Sequence, residues 1–245
     1  DVLDRLLTVT DAKGNVTRMS YDALGRKTAM DDPDMGHWEY AYNTVGSLIR
    51  QTDAKGQILE FTYDALSRVT LKQGRSSAGA APVTLASYLY DDTSKPNGVG
   101  RLSKLTDPSG SSEFFYNALG REVKIIKTIG GQAFTVQKDY DLRGQLIRLT
   151  YPDGEGVATT YDANGRPTRV EGAEVYVAAA EYNKSSQLTR LTYGNQVATD
   201  YAYDAAGQIR QILTAQGRLQ NLSYTFDPSG NILSITDRVG TATQS

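Results

Sequence analysis

The 245-residue chain contains no cysteine, one histidine and one tryptophan. Without cysteine there is no disulfide framework, so stability has to come from packing and backbone pairing. A single histidine leaves a nucleophilic triad or a Cys/His metal centre little to draw on, and no Gly-x-Ser-x-Gly elbow occurs. Charge of one sign is also missing: 26 basic against 28 acidic residues give a net charge of −2, without the basic field on which nucleic-acid binding relies. No apolar run approaches the ~20 residues of a spanning helix. The opening Asp1-Val2-Leu3-Asp4 has neither the basic nor the apolar region of a signal peptide. Nowhere does a helical apolar stripe run far without a Gly, Pro or Asp break, the short Val175–Ala180 stretch excepted. These absences point to an all-β chain with no cofactor, no metal site, no nucleic-acid partner and no membrane span, and they do not favour an enzyme.

What the chain does have is one short motif, repeated. Tyr161-Asp162-Ala163-Asn164-Gly165-Arg166 recurs as Tyr21-Asp22-Ala23-Leu24-Gly25-Arg26, Tyr63-Asp64-Ala65-Leu66-Ser67-Arg68, Tyr116-Asn117-Ala118-Leu119-Gly120-Arg121, Tyr140-Asp141-Leu142-Arg143-Gly144-Gln145 and Tyr203-Asp204-Ala205-Ala206-Gly207-Gln208. Looser copies start at Tyr42, Tyr182 and Phe226, a stretched one runs from Tyr90 to Arg101, and the chain opens on a copy lacking its Tyr. The steps from Tyr21 to Phe226 are 21, 21, 27, 26, 24, 21, 21, 21 and 23 residues. A period of this size marks a repeat architecture, in which no unit buries its own apolar face. Residues 1–245 therefore read as a single array of about eleven repeats. It begins inside one repeat and stops after another turn signal at Gly240–Ser245, as a piece of something longer would.

Each period is expected to hold two strands and two turns. Asp11-Ala12-Lys13-Gly14-Asn15 and Asp53-Ala54-Lys55-Gly56-Gln57 lie between β-prone runs, a hairpin signature. The Tyr-Asp motif supplies the second turn: its Asp or Asn can accept from nearby backbone N–H groups and its Gly can take positive φ. Before these turns, aromatic residues fall at every second position, as in Trp38/Tyr40/Tyr42 and Tyr201/Tyr203, the spacing that puts them on one strand face. That face is expected to be buried. After the turns, apolar residues stand two and five places beyond the Gly position, as in Ile209 and Ile212 or Leu146 and Leu149. A separation of three breaks strict alternation and predicts a bulge in the outgoing strand. Gln73–Gly100 departs from the rhythm and reads as a longer loop, beginning at Gly74-Arg75, and an expanded turn. Roughly 22 strands at ~4.8 Å spacing would form a ribbon ~100 Å long, too wide to stay flat and open.

Four features invite chemistry. His37 stands near Asp31, Asp32 and Asp34, a mixture that could serve a metal or an acid–base site, but the cluster falls on a midpoint turn. The recurring Asp/Gly turns suit calcium, although the nine-residue period of calcium β-rolls is absent. Sixteen tyrosines raise a sugar-binding surface, yet most occupy the regular inward position. Arg26, Arg68, Arg121 and Arg166 recur just after the turns and are expected to pair with the turn Asp of the same or the adjacent unit.

Tyr-Asp-x-x-Gly-Arg at a 21-residue period, with Asp-x-x-Gly turns midway, resembles the Rhs/YD-repeat family of bacterial polymorphic toxins, insecticidal toxin complex B and C components and teneurins. The resemblance covers essentially the whole chain. It implies repetitive antiparallel hairpins forming a continuous curved or spiralling β-sheet ribbon. In bacterial members such a ribbon is a hollow shell that encloses a C-terminal toxin or effector domain until delivery. By that resemblance the chain is a structural segment of a shell, secreted or on the cell surface, whose partners are the remaining repeats of its parent chain and an enclosed effector. The alternative is an extracellular adhesion or glycan-recognition stalk built from the same repeats. The nearest match to the family's releasing segment, Asp227-Pro228-Ser229-Gly230, continues as Asn231-Ile232-Leu233 and reads as an ordinary repeat turn.

Overall fold

The computed structural model describes residues 3–239, so the first two residues of the opening copy and the closing Gly240–Ser245 turn signal lie outside the described residues. Every regular element among them is a strand. The chain divides into two compact units, Asp1–Phe134 and Thr135–Ser245.

In the first unit the strands are β1 (Thr8–Thr10), β2 (Val16–Tyr21), β3 (Lys27–Asp32), β4 (Gly36–Tyr42), β5 (Leu48–Thr52), β6 (Ile58–Tyr63), β7 (Val69–Arg75), β8 (Val83–Tyr90), β9 (Leu102–Asp107), β10 (Gly110–Tyr116) and β11 (Glu122–Ile129). Each pairs antiparallel with the next. The division falls inside β12 (Gln132–Tyr140). The second unit continues with β13 (Leu146–Thr150), β14 (Gly156–Tyr161), β15 (Pro167–Glu171), β16 (Val175–Tyr182), β17 (Leu188–Tyr193), β18 (Ala198–Tyr203), β19 (Ile209–Thr214), β20 (Gln220–Phe226) and β21 (Ile232–Asp237). Again each strand pairs antiparallel with its successor. The meander follows from the turns: a two-strand, two-turn period leaves every strand beside its sequence neighbours.

The register explains the apolar separation of three. Tyr203 faces Ile209, Ala202 faces Gln211 and Tyr201 faces Ile212, so Arg210 is the extra residue of the outgoing strand. That bulge returns Ile209 and Ile212 to one face, opposite the two tyrosines. The same shift precedes Tyr21, Tyr42, Tyr63, Tyr116, Tyr161 and Phe226.

Two expectations change. The aromatic face is half-buried, not buried. Among the described residues only Ile58 and Ala86 are buried apolar side chains, at 2% and 8% exposure. Within each unit strands touch only their sequence neighbours, so within a unit the face is shielded by adjacent side chains. The irregular region also begins later than expected: Gln73, Gly74 and Arg75 belong to β7, paired to Glu60, Leu59 and Ile58 on one side. Arg75 is held there by its Nε, 2.8 Å from Glu60 Oε2. Residues 76–82 form the loop, and the expanded turn of 91–101 takes positive φ at Asp91, Asn97 and Gly100. Lys95 ties that turn down by donating to the Ser103 carbonyl and to Glu113 Oε2, both at 3.0 Å.

Candidate functional site

The recurring feature that the fold positions is the corner of each repeat. Tyr21, Tyr63, Tyr116, Tyr140, Tyr161 and Tyr203 each close a strand, and the four residues after them turn the chain. At Asp162 the backbone N–H donates to the Arg166 carbonyl at 2.9 Å and Gly165 N–H donates back to the Asp162 carbonyl at 3.0 Å. Asp162 Oδ1 accepts from Asn164 and Arg166 N–H groups, both at 2.9 Å. Asp22 and Asp64 repeat these bonds, Asn117 substitutes its amide oxygen, and Asp141 and Asp204 accept from Gln145 and Gln208. Gly25, Gly120, Gly144, Gly165 and Gly207 stand at φ between +78° and +87°, the left-handed region that glycine enters without strain. Ser67 and Ser186 hold the same position at φ +60° and +61°.

The carboxylates are tuned by this geometry. The Arg26, Arg68 and Arg166 backbone N–H groups, reinforced by the guanidiniums, hold Asp22, Asp64 and Asp162 below the usual carboxylate range. Desolvation pushes the Tyr42, Tyr90 and Tyr182 phenols up.

Corners are also joined to each other: the expected pairing of a motif Arg with the adjacent turn Asp occurs between Arg68 and Asp91, and bonds to backbone carbonyls and ring contacts, which were not expected, add to it. Arg26 Nε binds its own Asp22 Oδ2 at 2.6 Å, its Nη1 donates to the Asn43 carbonyl of the next corner at 3.1 Å, and its guanidinium lies 4.9 Å from the Tyr42 ring centre. Arg166 does the same with Asp162, Asn183 and Tyr182, its ring distance being 4.7 Å. Arg68 binds Asp64 and the Asp91 carboxylate and covers Tyr90 at 4.3 Å. Where glutamine replaces arginine, Gln145 and Gln187 donate to the carbonyls of Gly165 and Gly207, each at 2.9 Å. The tyrosine hydroxyls complete the link backwards. Tyr42, Tyr161 and Tyr203 donate to Lys27, Leu146 and Leu188 carbonyls, at 2.8, 2.8 and 2.9 Å. Besides the recurring arginines, a signal for the carbonyl contacts was the interchange of Arg and Gln at a single motif position, two long side chains that can both donate.

His37 belongs to a different arrangement. It faces Asp31 across β3 and β4, with Nδ1 2.7 Å from Asp31 Oδ1 and Nε2 3.6 Å from Glu39 Oε1, all exposed. Asp31 raises the imidazole pKa above its ordinary value. Asp32 is not part of it: one oxygen accepts from the Asp34 and Met35 N–H groups and the other from the Thr17 hydroxyl. Among the described residues no three His, Asp or Glu side chains converge as metal ligands would.

No curated protein matches this sequence. Among solved structures, the crystal structure of TcdB2-TccC3 is 17% identical and aligns with 95% of this chain at a TM-score of 0.76. A form of TcdB2-TccC3 without its hypervariable C-terminal region gives 17% identity, 94% coverage and 0.77. The Tc holotoxin pore of Photorhabdus luminescens gives 18%, 95% and 0.76. At such identity the likeness establishes the fold. The chain spans 14% to 15% of the length of these structures. The RHS Repeat family model matches residues 1–34, 42–77, 140–174 and 203–242, more than half of the sequence, and these segments include the corners at Tyr21, Tyr63, Tyr140, Tyr161 and Tyr203. The chain therefore belongs to the RHS repeat family.

Proposed function

We propose that this chain is a wall segment of a larger RHS-repeat enclosure that holds an effector polypeptide at its C-terminal side until delivery, as part of an exported bacterial toxin. Its work is mechanical, and no residue of it is assigned a catalytic role. The observation that carries this reading is the corner-to-corner linkage: the functional motif of the family spends its Tyr, Asp and Arg side chains on joining one repeat to the next, as in Arg26 to Asn43 and Tyr42. A motif used in that way builds a surface rather than a pocket. The fold shared with TcdB2-TccC3, which is described with a hypervariable C-terminal region, supports the same reading by analogy. Its partners are then further repeats of the parent polypeptide and the effector.

The test is protease challenge of the full parental polypeptide. A segment C-terminal to the repeats should resist cleavage while the array is folded and be degraded once denaturant opens it. Cleavage of that segment at the rate of the isolated segment, or a parental polypeptide that has no such segment, overturns the proposal. An adhesion stalk predicts a membrane anchor and adhesion modules in its place.

A further inference from the structure

We propose that the second unit carries a docking surface for an arginine-bearing polypeptide segment, formed by Tyr151, Tyr176 and Tyr193 with the carboxylates beside them. Of the sixteen tyrosines these three alone stand exposed, at 42%, 41% and 37%. They lie beside three successive turns: Tyr151 follows β13, Tyr176 is second in β16 and Tyr193 closes β17. Several other rings are covered by cations of the chain itself. Arg26, Arg68 and Arg166 lie over Tyr42, Tyr90 and Tyr182, and Lys27 Nζ stands 4.6 Å from the Tyr40 ring centre. Among the described residues no lysine or arginine covers Tyr151, Tyr176 or Tyr193. Rings left open in this way offer their faces to a cation from outside.

Tyr176 is the centre of the surface. Its hydroxyl donates to Glu155 Oε1, which also accepts from the Ala173 N–H at 3.2 Å. Gly172 makes room for that contact: it is not among the positive-φ residues, but an added Cβ would come 2.6 Å from Glu155 Oε1 and 3.1 Å from Tyr176 Cε2. The Glu155 hydrogen bond, with partial desolvation and the charges of Glu155 and Glu174, pushes the Tyr176 phenol up. Gly194 N–H donates to the Tyr176 carbonyl at 3.1 Å, which sets the backbone of Tyr193 beside it. Among the described residues Glu155 Oε2 and the Glu174 carboxylate make no hydrogen bond or ion pair. Asp153 Oδ1 accepts from the Glu155 N–H at 3.0 Å and has no cation partner there either. The Arg169 guanidinium is already bound to Glu171, with Nε 2.8 Å from Oε2.

Charge and shape select the occupant. Three carboxylates without a cation repel an anion, and an apolar guest would strip water from them without replacing their hydrogen bonds. A guanidinium fits both parts of the surface: its flat face stacks on a tyrosine ring and its N–H groups donate to Glu155 and Glu174. One such group cannot serve all three rings, because four strand spacings of ~4.8 Å, about 19 Å in all, separate Tyr151 from Tyr193. A polypeptide carrying several arginines spans that distance with about six extended residues. This assignment is independent of the enclosure proposal, since it concerns only which side chains a sheet face leaves open.

Fluorescence anisotropy of dye-labelled hexaarginine, titrated with the full chain at low salt, tests this. Saturable binding is expected. Tyr176→Leu, which keeps every charge, should weaken it about fivefold. Glu174→Gln should weaken it about threefold, a loss that shrinks as salt is added. If the far-UV circular dichroism shows that Tyr176→Leu does not fold, Tyr151→Leu decides in its place. Absence of binding overturns the proposal. So does an affinity that the tyrosine variant leaves unchanged, which would show adsorption by charge alone. Tetramethylammonium that displaces the peptide as effectively as acetyl-arginine amide also overturns it, by assigning the rings to a small quaternary ammonium ion.

Discussion

At Gly165 the backbone stands at φ +83°, and the same left-handed position is held by serine at residues 67 and 186. The corner therefore demands a conformation, and glycine is the residue that meets it without strain. Gly165→Val should lower stability by at least ~1 kcal/mol, because a β-branched side chain resists positive φ; an unchanged urea midpoint would contradict it. The converse change is informative too. Ser67→Gly relieves strain already present at φ +60° and is expected to raise the unfolding free energy by about 0.5–1 kcal/mol, net of the extra freedom glycine gains in the unfolded chain, read as a higher urea midpoint. The aromatic partner can be tested in the same corner. Tyr161→Phe deletes the 2.8 Å bond to the Leu146 carbonyl and should cost about 1 kcal/mol in equilibrium unfolding.

Between strands, the linkage runs from one corner to the next through a long side chain at the sixth motif position. Ser47 occupies that position after Tyr42 and is too short to reach the next corner, whereas Arg26 spans the equivalent gap. Ser47→Arg is expected to supply the missing contact with Tyr63 and raise stability by about 0.5–1 kcal/mol, the range of an exposed cation–π contact. Thermal unfolding with and without high salt separates this from a general charge effect. A gain that vanishes in the Tyr63→Leu background would locate the contact on the ring, and a gain that persists there would refute it. Bulges belong to this scale as well. An extra residue such as Arg210 in each outgoing strand restores the apolar alternation that the turn would otherwise shift.

For the molecule as a whole, the corner carboxylates set an acid limit. Asp22, Asp64 and Asp162 titrate lower in the folded chain than their ordinary value of 3.8, so the folded state binds fewer protons than the unfolded one. Their stabilisation is complete above that value and is lost as pH falls through the depressed ones. The urea midpoint should hold or rise slightly from neutral pH to about pH 5, where His37, its pKa raised by Asp31, gains its proton, and should fall below about pH 4. A midpoint that holds constant down to pH 3 would contradict it. The terminal strands behave differently from the interior ones: among the described residues β1 pairs only with β2, and β21 only with β20. Ile232, Leu233 and Ile235 on β21 are 55%, 68% and 56% exposed. Open edges of this kind recruit other strands, so sedimentation of the isolated chain should show concentration-dependent association.

The repeat, its two strands and two turns, and the left-handed glycine were legible because they are local: spacing, turn chemistry and side-chain alternation all act within a few residues. The bulge was legible for the same reason, as a separation of three between apolar residues such as Ile209 and Ile212. Contacts between corners were legible only in part: pairing of a motif Arg with the adjacent turn Asp was expected and Arg68 makes it with Asp91, but the bonds to backbone carbonyls and the ring contacts were not. Arg166 reaches Asn183 and Tyr182 only because two bulged hairpins bring residues about one period apart to within hydrogen-bond distance, and no local rule encodes that separation. Burial was decided in the same way. Alternating aromatics mark one face of a strand, but whether that face is covered depends on a second layer, and within each unit the strands touch only their neighbours. The place of Gly74 in β7 was likewise decided by register, which pairs it with Leu59 and Val83, although it reads in the sequence as the start of a loop.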